Sequence, residues 1–143
     1  MSSDNVMDVT KMTDARTVLM CARLQLRGGK RHLKQGFTAD GITALYDSVL
    51  FGMRYYIVRH KRCGSFVENS DPWDGMSLFQ ALWRTGVFED PLVFNRFSLL
   101  AERALWQGSF SSNPEPILAE VEEMLTKLGV MRAKSREVPS RSS

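Results

Sequence analysis

The sequence predicts an all-α protein, an up-and-down antiparallel bundle of about five helices. Apolar residues recur at spacings of three and four along most of the 143-residue chain, which is the period of one helical face. No segment has the two-residue alternation with Asn-Gly or Asp-Gly turns that indicates β-hairpins. A capping residue plus proline also precedes several apolar segments and glycine follows them, which is typical of helices joined by short connections.

The first helix is predicted to start near Thr13 or Asp14, with an apolar stripe that continues to Leu26. Gly28 and Gly29 each cost about 1 kcal/mol relative to alanine inside a helix. The helix therefore either breaks at these glycines or continues weakly through Leu33 to Gly36. The predicted stripe consists of Ala15, Val18, Leu19, Ala22 and Leu26.

The second helix has the clearest pattern, because Thr38 can cap it and a broad apolar face follows. A loop with the sequence GSFVENSDP comes after Cys63, since its glycine, asparagine, serine and proline interrupt helices. The predicted face consists of Ile42, Leu45, Tyr46, Val49, Leu50, Met53, Tyr56 and Ile57.

Three later helices begin with the same signal, because an acidic or amide side chain caps free N–H groups and proline fits the first turn. These starts are Asp71-Pro72, Asp90-Pro91 and Asn113-Pro114. The helices are predicted to stop at Gly86, Gly108 and Gly129.

The composition indicates one domain, predicted over residues 13–130, between a flexible N-terminus at 1–12 and a disordered basic tail at 131–143. Hydrophobic residues make up 43% and charged residues 24%, as in ordinary globular proteins. No segment approaches the roughly 20 apolar residues of a membrane span, and the polar start lacks a signal core. With two cysteines and no paired-cysteine motif, we expect a reduced, cytoplasmic protein without membrane contact.

Basic residues cluster at predicted helix ends, where the helix dipole favours cations, and in the tail, which supplies much of the net charge of +3. Two clusters on neighbouring helices can also form a patch for phosphate, nucleotide or RNA. The candidate binding residues are Arg27, Lys30, Arg31, His32, Arg59, Lys61 and Arg62.

No metal or cofactor is expected. His32 and His60 stand among arginines and lysines, which repel a divalent cation, and no Glu-x-x-His motif of di-iron bundles occurs. The glycines after Arg27 match neither the Walker loop nor the dinucleotide-binding fingerprint.

Aromatic residues are dense in the second half of the chain. A bundle that exposes surplus aromatic side chains usually buries them on a partner. We therefore predict a homodimer, with a candidate interface at Trp83, Phe88, Phe97 and Trp106.

The order of these features resembles the HEPN (higher eukaryote and prokaryote nucleotide-binding) helical domains. The segment ARTVLMCARLQLRGGKRHLKQG resembles their first helix and GITALYDSVLFGMRYYI their second. LLAERALWQGSF resembles a later segment, and ILAEVEEMLTKLGV resembles the last helix. The resemblance implies a dimerising bundle and, for some members, a nucleotidyltransferase or RNA as partner.

Catalytic members of that family carry an arginine and a histidine separated by four to six residues and cut RNA without metal. Two such pairs occur, Arg27 with His32 and Arg54 with His60. Along a regular helix Arg54 and His60 are about 120° apart and roughly 9 Å along the axis, so they converge only if the helix ends early or a second chain contributes.

The family's motif belongs in the later segment, where Arg96 and Arg103 have no histidine after them. The preferred interpretation is therefore a non-catalytic interaction module, for which Arg54→Ala should leave the fold intact. The alternatives are a metal-independent endoribonuclease that uses one of the two pairs as electrostatic stabiliser and general acid or base, and a structural bundle unrelated to HEPN.

Overall fold

The structure is a computed structural model that describes residues 14–60, 74–106 and 114–132. Five α-helices account for most of them, and these residues contain no β-strand, so the all-α prediction is confirmed. The predicted flexible ends, 1–12 and 131–143, lie outside the described residues except for Met131 and Arg132. The up-and-down order of the whole bundle remains a prediction.

Helices α1 (Ala15–Lys34) and α2 (Thr38–Arg59) form a hairpin. Of the two alternatives for the first helix, the continuous one is correct. At its end Gly36 has a φ of +88°, and its N–H bonds to Leu33 O while the N–H of Phe37 bonds to His32 O. These two bonds form a Schellman motif, which glycine permits because it adopts a positive φ without strain.

The hairpin helices approach closely where two glycines face each other. A Cβ atom built on Gly29 would lie 2.8 Å from Leu45 Cδ2 and 3.0 Å from the carbonyl oxygen of Gly41. One built on Gly41 would lie 2.8 Å from Leu33 Cδ2. Residue 29 of α1 therefore lies beside residue 45 of α2, and residue 33 lies beside residue 41. Because the residue numbers rise along α1 where they fall along α2, the two helices run in opposite directions.

The remaining helices are α3 (Gly75–Arg84), α4 (Val93–Trp106) and α5 (Glu115–Lys127). The predicted start of the third helix at Asp71 lies outside the described residues; Asp74 is the N-cap and accepts a hydrogen bond from the N–H of Ser77. The predicted stops at Gly86 and Gly129 are confirmed by positive φ angles just beyond the helix ends. The stop predicted at Gly108 lies outside the described residues.

Helix α2 is central, because it packs most extensively against α1 and also contacts α3, α4 and α5. Burial of apolar side chains from all five helices is the main favourable term in folding. The fully buried side chains include Val18, Ile42, Leu45, Val49, Met53, Leu82, Phe94, Phe97, Ile117, Met124 and Leu125.

The side chain of Asp90 caps the start of α4, as the sequence predicts. Its carboxylate accepts a hydrogen bond from the N–H of Leu92 at 2.9 Å and another from Arg96 Nη1 at 2.9 Å. The backbone bond first, and then Arg96, lower the pKa of Asp90 below its ordinary value. The ionised carboxylate therefore stabilises the fold above the unfolded-state pKa, and this contribution is lost as the pH falls through the folded-state pKa.

Asp90→Asn is accordingly expected to lower the thermal unfolding midpoint at pH 7. The difference from the wild type should disappear at a pH that protonates the carboxylate in both states. Thermal unfolding followed by circular dichroism across the acid range measures this, with Glu89→Gln at the exposed neighbouring position as the control. If the difference in unfolding midpoint between Asp90→Asn and the wild type did not change with pH, the ionised Asp90 carboxylate would not be the source of the stabilisation.

Candidate functional site

Arg54 and His60 lie on different sides of α2. The helix ends at Arg59, and the His60 ring stacks on Tyr56 with centroids 3.8 Å apart. His60 Nδ1 is 2.9 Å from the carbonyl oxygen of Tyr56, so Nδ1 carries the hydrogen and donates it. Tyr56 is two residues from Arg54, about 200° around the helix. The structure therefore does not bring this candidate pair together within one chain.

Arg54 is also closed to solvent, with 8% of its surface exposed. Burial lowers the pKa of its guanidinium from the ordinary value. A guanidinium remains charged at neutral pH even so. Its burial makes Arg54 part of the packing of α2 rather than a group presented to a substrate.

The second candidate pair does not converge either. Because α1 is continuous, Arg27 and His32 are about 140° apart around it and roughly 7.5 Å along its axis. Arg27 is exposed, whereas His32 is half-buried and packs edge-on against Phe37, with ring centroids 6.1 Å apart.

The described residues of the predicted basic patch do not come together, because they lie at opposite ends of the hairpin. Arg27 and Arg31 lie near the end of α1, but Arg59 lies at the far end of α2, about 27 Å along that helix from Gly41. Arg59 Nη1 donates a hydrogen bond to the hydroxyl of Tyr55 at 2.9 Å.

Lys30 is already engaged within the chain, because its Nζ forms an ion pair with Glu122 Oε2 at 2.7 Å. Lys61 and Arg62 lie outside the described residues. Of the seven candidate binding residues, only Arg27 and Arg31 are described as exposed and have no described hydrogen-bond or ion-pair partner.

Of the four candidate interface aromatic residues, two are buried and two are exposed. Phe88 is 3% exposed and Phe97 is fully buried, so both belong to the core of the single chain. Trp83 and Trp106 are 44% and 82% exposed. Only the two tryptophans are available to a partner.

Three further exposed apolar residues accompany these tryptophans, and the sequence analysis did not find them. Met76 precedes Trp83 by seven residues on α3, while Leu92 and Leu99 precede Trp106 at steps of seven. This seven-residue recurrence is the feature of the sequence from which these exposed residues could have been predicted. We name the set Met76, Trp83, Leu92, Leu99 and Trp106 the α3–α4 face.

The N-terminal part of this face contains an open groove of about 380 Å³ between α3 and the start of α4. Met76, Phe79 and Trp83 line one side, and Pro91, Leu92 and Asn95 line the other. Such an apolar groove suits a bulky side chain from another protein surface.

A second cleft, of about 340 Å³, lies between α2 and α4. Tyr46, Asp47, Ser98 and Glu102 are among the residues that line it, and the Ser98 hydroxyl is 3.4 Å from that of Tyr46. Burial raises the pKa of Asp47. Neither histidine of the candidate pairs lines this cleft.

No helix among the described residues combines the length and apolar character needed to cross a membrane. Within the same residues, no three His, Cys, Asp or Glu side chains are grouped so that they could hold a metal ion.

Comparison of the chain with protein-family models, with curated proteins and with solved structures gives no significant match. The resemblance to HEPN domains therefore remains a prediction from helix order and apolar pattern.

Proposed function

We propose that this chain is a non-catalytic, HEPN-like interaction module that forms a homodimer through the α3–α4 face. The observation that carries the proposal is the grouping of exposed apolar side chains. Nine large apolar side chains are exposed among the described residues, and five of them form this face. Met76, Trp83 and Leu92 line one groove, and clustered exposed apolar side chains are typical of protein–protein interfaces.

A second copy of the chain fits this face because its pattern is that of paired helices. Leu92, Leu99 and Trp106 recur every seven residues, so the stripe drifts only about 20° per step around α4. Glu102 and Arg103 lie on opposite flanks of the stripe, about 100° apart. A two-fold axis parallel to α4 would set Glu102 of each copy beside Arg103 of the other.

Leu99→Arg is expected to weaken self-association at least tenfold, which is about 1.4 kcal/mol. The substitution puts a charge at the centre of the stripe that the second copy would bury. Sedimentation velocity over a range of protein concentrations measures the dissociation constant. Leu24→Arg is the matched control, because Leu24 on α1 is exposed to a similar extent, 54% against 49% for Leu99. A monomeric wild type, or equal loss in both variants, would contradict the proposed interface.

The absence of catalysis is supported by the positions of both Arg–His pairs. A general acid or base must lie within hydrogen-bond reach of the group it serves, and neither histidine lies beside its paired arginine within one chain. We expect no cleavage of total RNA by the purified protein in EDTA. Cleavage that His60→Ala or His32→Ala abolishes would instead support the endoribonuclease alternative, and would imply that the dimer assembles the site.

A further inference from the structure

The solvent-facing side of α1 carries an unusual charge distribution. The helix contains four arginines, two lysines and no carboxylate. Five of these cations and two apolar residues fall within an arc of about 100° that runs about 27 Å along the helix. This α1 stripe consists of Arg16, Met20, Arg23, Leu24, Arg27, Arg31 and Lys34, all exposed.

Most of the charge on the stripe has no ion-pair partner among the described residues. No carboxylate among the described residues forms an ion pair with Arg16, Arg27, Arg31 or Lys34. Arg23 differs, because its Nε donates a hydrogen bond to the carbonyl oxygen of Val130 at 3.1 Å. Like charges on successive turns of one helix destabilise it slightly, and an anionic ligand would remove that repulsion.

The neighbouring helix restricts the width of such a ligand. Lys30 and Glu122 join α1 to α5, and α5 also carries the exposed carboxylate of Glu123. A broad polyanion, such as a nucleic-acid duplex or an anionic membrane, would meet these carboxylates while it contacts the stripe. The arrangement favours a ligand about one helix wide.

The apolar residues restrict the chemistry of the ligand further. Met20 and Leu24 are 55% and 54% exposed and lie one helical turn apart between the arginines. A phosphate backbone offers them no apolar surface to contact. A helix with two apolar residues one turn apart and carboxylates on both flanks would contact both parts of the stripe, as amphipathic helices do on their receptors.

We infer that the α1 stripe binds an acidic amphipathic helix of a partner protein. Carboxylates of that helix pair with Arg16, Arg27, Arg31 and Lys34, and its apolar residues cover Met20 and Leu24. The stripe lies on a different helix from the α3–α4 face. Leu99→Arg should therefore leave this binding unchanged, which separates a failure of this inference from a failure of the proposed homodimer.

The probe is a fluorescently labelled synthetic peptide of about 18 residues, the length of helix that spans the stripe. It carries leucines one turn apart with glutamates on both flanks. A scrambled peptide of the same composition, a single-stranded RNA and vesicles that contain phosphatidylserine are compared with it. Fluorescence anisotropy with the full-length protein gives the affinity of each peptide and of the labelled RNA, and co-sedimentation gives vesicle binding.

Arg27→Glu combined with Arg31→Glu is expected to weaken peptide binding at least tenfold, because each reversed charge replaces an attraction by a repulsion. Met20→Ser combined with Leu24→Ser should weaken it severalfold. Arg84→Glu combined with Lys127→Glu, both at exposed positions outside α1, makes the same change in net charge and should have little effect.

Equal binding of the scrambled peptide would overturn the inference, because it would show that net charge alone is recognised. Tighter binding of the RNA or of the vesicles would overturn it in favour of those ligands. Equal loss in the Arg84 and Lys127 variant would show that the stripe is not the site. A peptide that does not bind the wild type at all would also exclude it.

Discussion

Gly29→Ala is expected to lower the free energy of unfolding by about 1–3 kcal/mol, as overpacked sites do. The added methyl group would meet Leu45 and the carbonyl oxygen of Gly41 at 3.0 Å or less. The side chain of Leu45 can move, but the backbone oxygen cannot, so α1 and α2 must separate locally. Since this hairpin is the most extensive helix pair of the fold, the separation also disturbs the core beneath it.

Gly28→Ala, one residue earlier, is expected to raise the free energy of unfolding by about 0.5–1 kcal/mol. Nothing lies within 4 Å of a Cβ atom at this position, and alanine favours the helix where glycine does not. Urea unfolding of the two variants and the wild type measures both changes. If Gly29→Ala raised the free energy of unfolding as Gly28→Ala does, α1 and α2 would not be in close contact at Gly29.

This pair of glycines shows how far the sequence determines the fold. The two glycines have the same low helix propensity, so the local sequence could not decide whether the helix breaks there. The structure separates them, because Gly29 faces α2 and Gly28 faces solvent. The close approach of two helices at a glycine depends on which face meets the partner, and that is a property of packing.

Helix starts and stops were predictable where they depend on nearby backbone chemistry. Asp90 bonds the free N–H of Leu92, and the glycines at 86 and 129 have the positive φ that ends a helix. These interactions span only a few residues. They follow from local sequence without knowledge of the tertiary fold.

The candidate site was less predictable, because its residues are far apart in sequence. The two basic clusters were expected to form one patch, but α1 and α2 run in opposite directions and place Arg59 at the opposite end of the hairpin from Arg27 and Arg31. Aromatic composition likewise did not distinguish the buried Phe97 from the exposed Trp106. Spacing at steps of seven, as in Leu92, Leu99 and Trp106, was the better signal for an exposed face.

Arg54 reverses one expectation from the sequence. Arg54→Ala was expected to leave the fold intact, but the side chain is 8% exposed. Truncation of a buried side chain leaves a cavity and typically costs about 2–4 kcal/mol. We therefore expect Arg54→Ala to lower the free energy of unfolding by that amount, measured by urea unfolding.

Arg54→Met should cost less than Arg54→Ala, because methionine keeps most of the apolar volume of the arginine stem. His60→Ala should cost less than about 1 kcal/mol, since His60 lies at the helix end and contributes mainly one hydrogen bond and its stacking on Tyr56. If Arg54→Ala unfolded at the same urea concentration as the wild type, the guanidinium would not be a packing residue. Arg54 would then again be a candidate for chemistry with His60. We therefore expect the loss in free energy of unfolding to be larger for Arg54→Ala than for Arg54→Met, and small for His60→Ala. This order is expected if Arg54 is a packing residue and His60 caps the end of the helix.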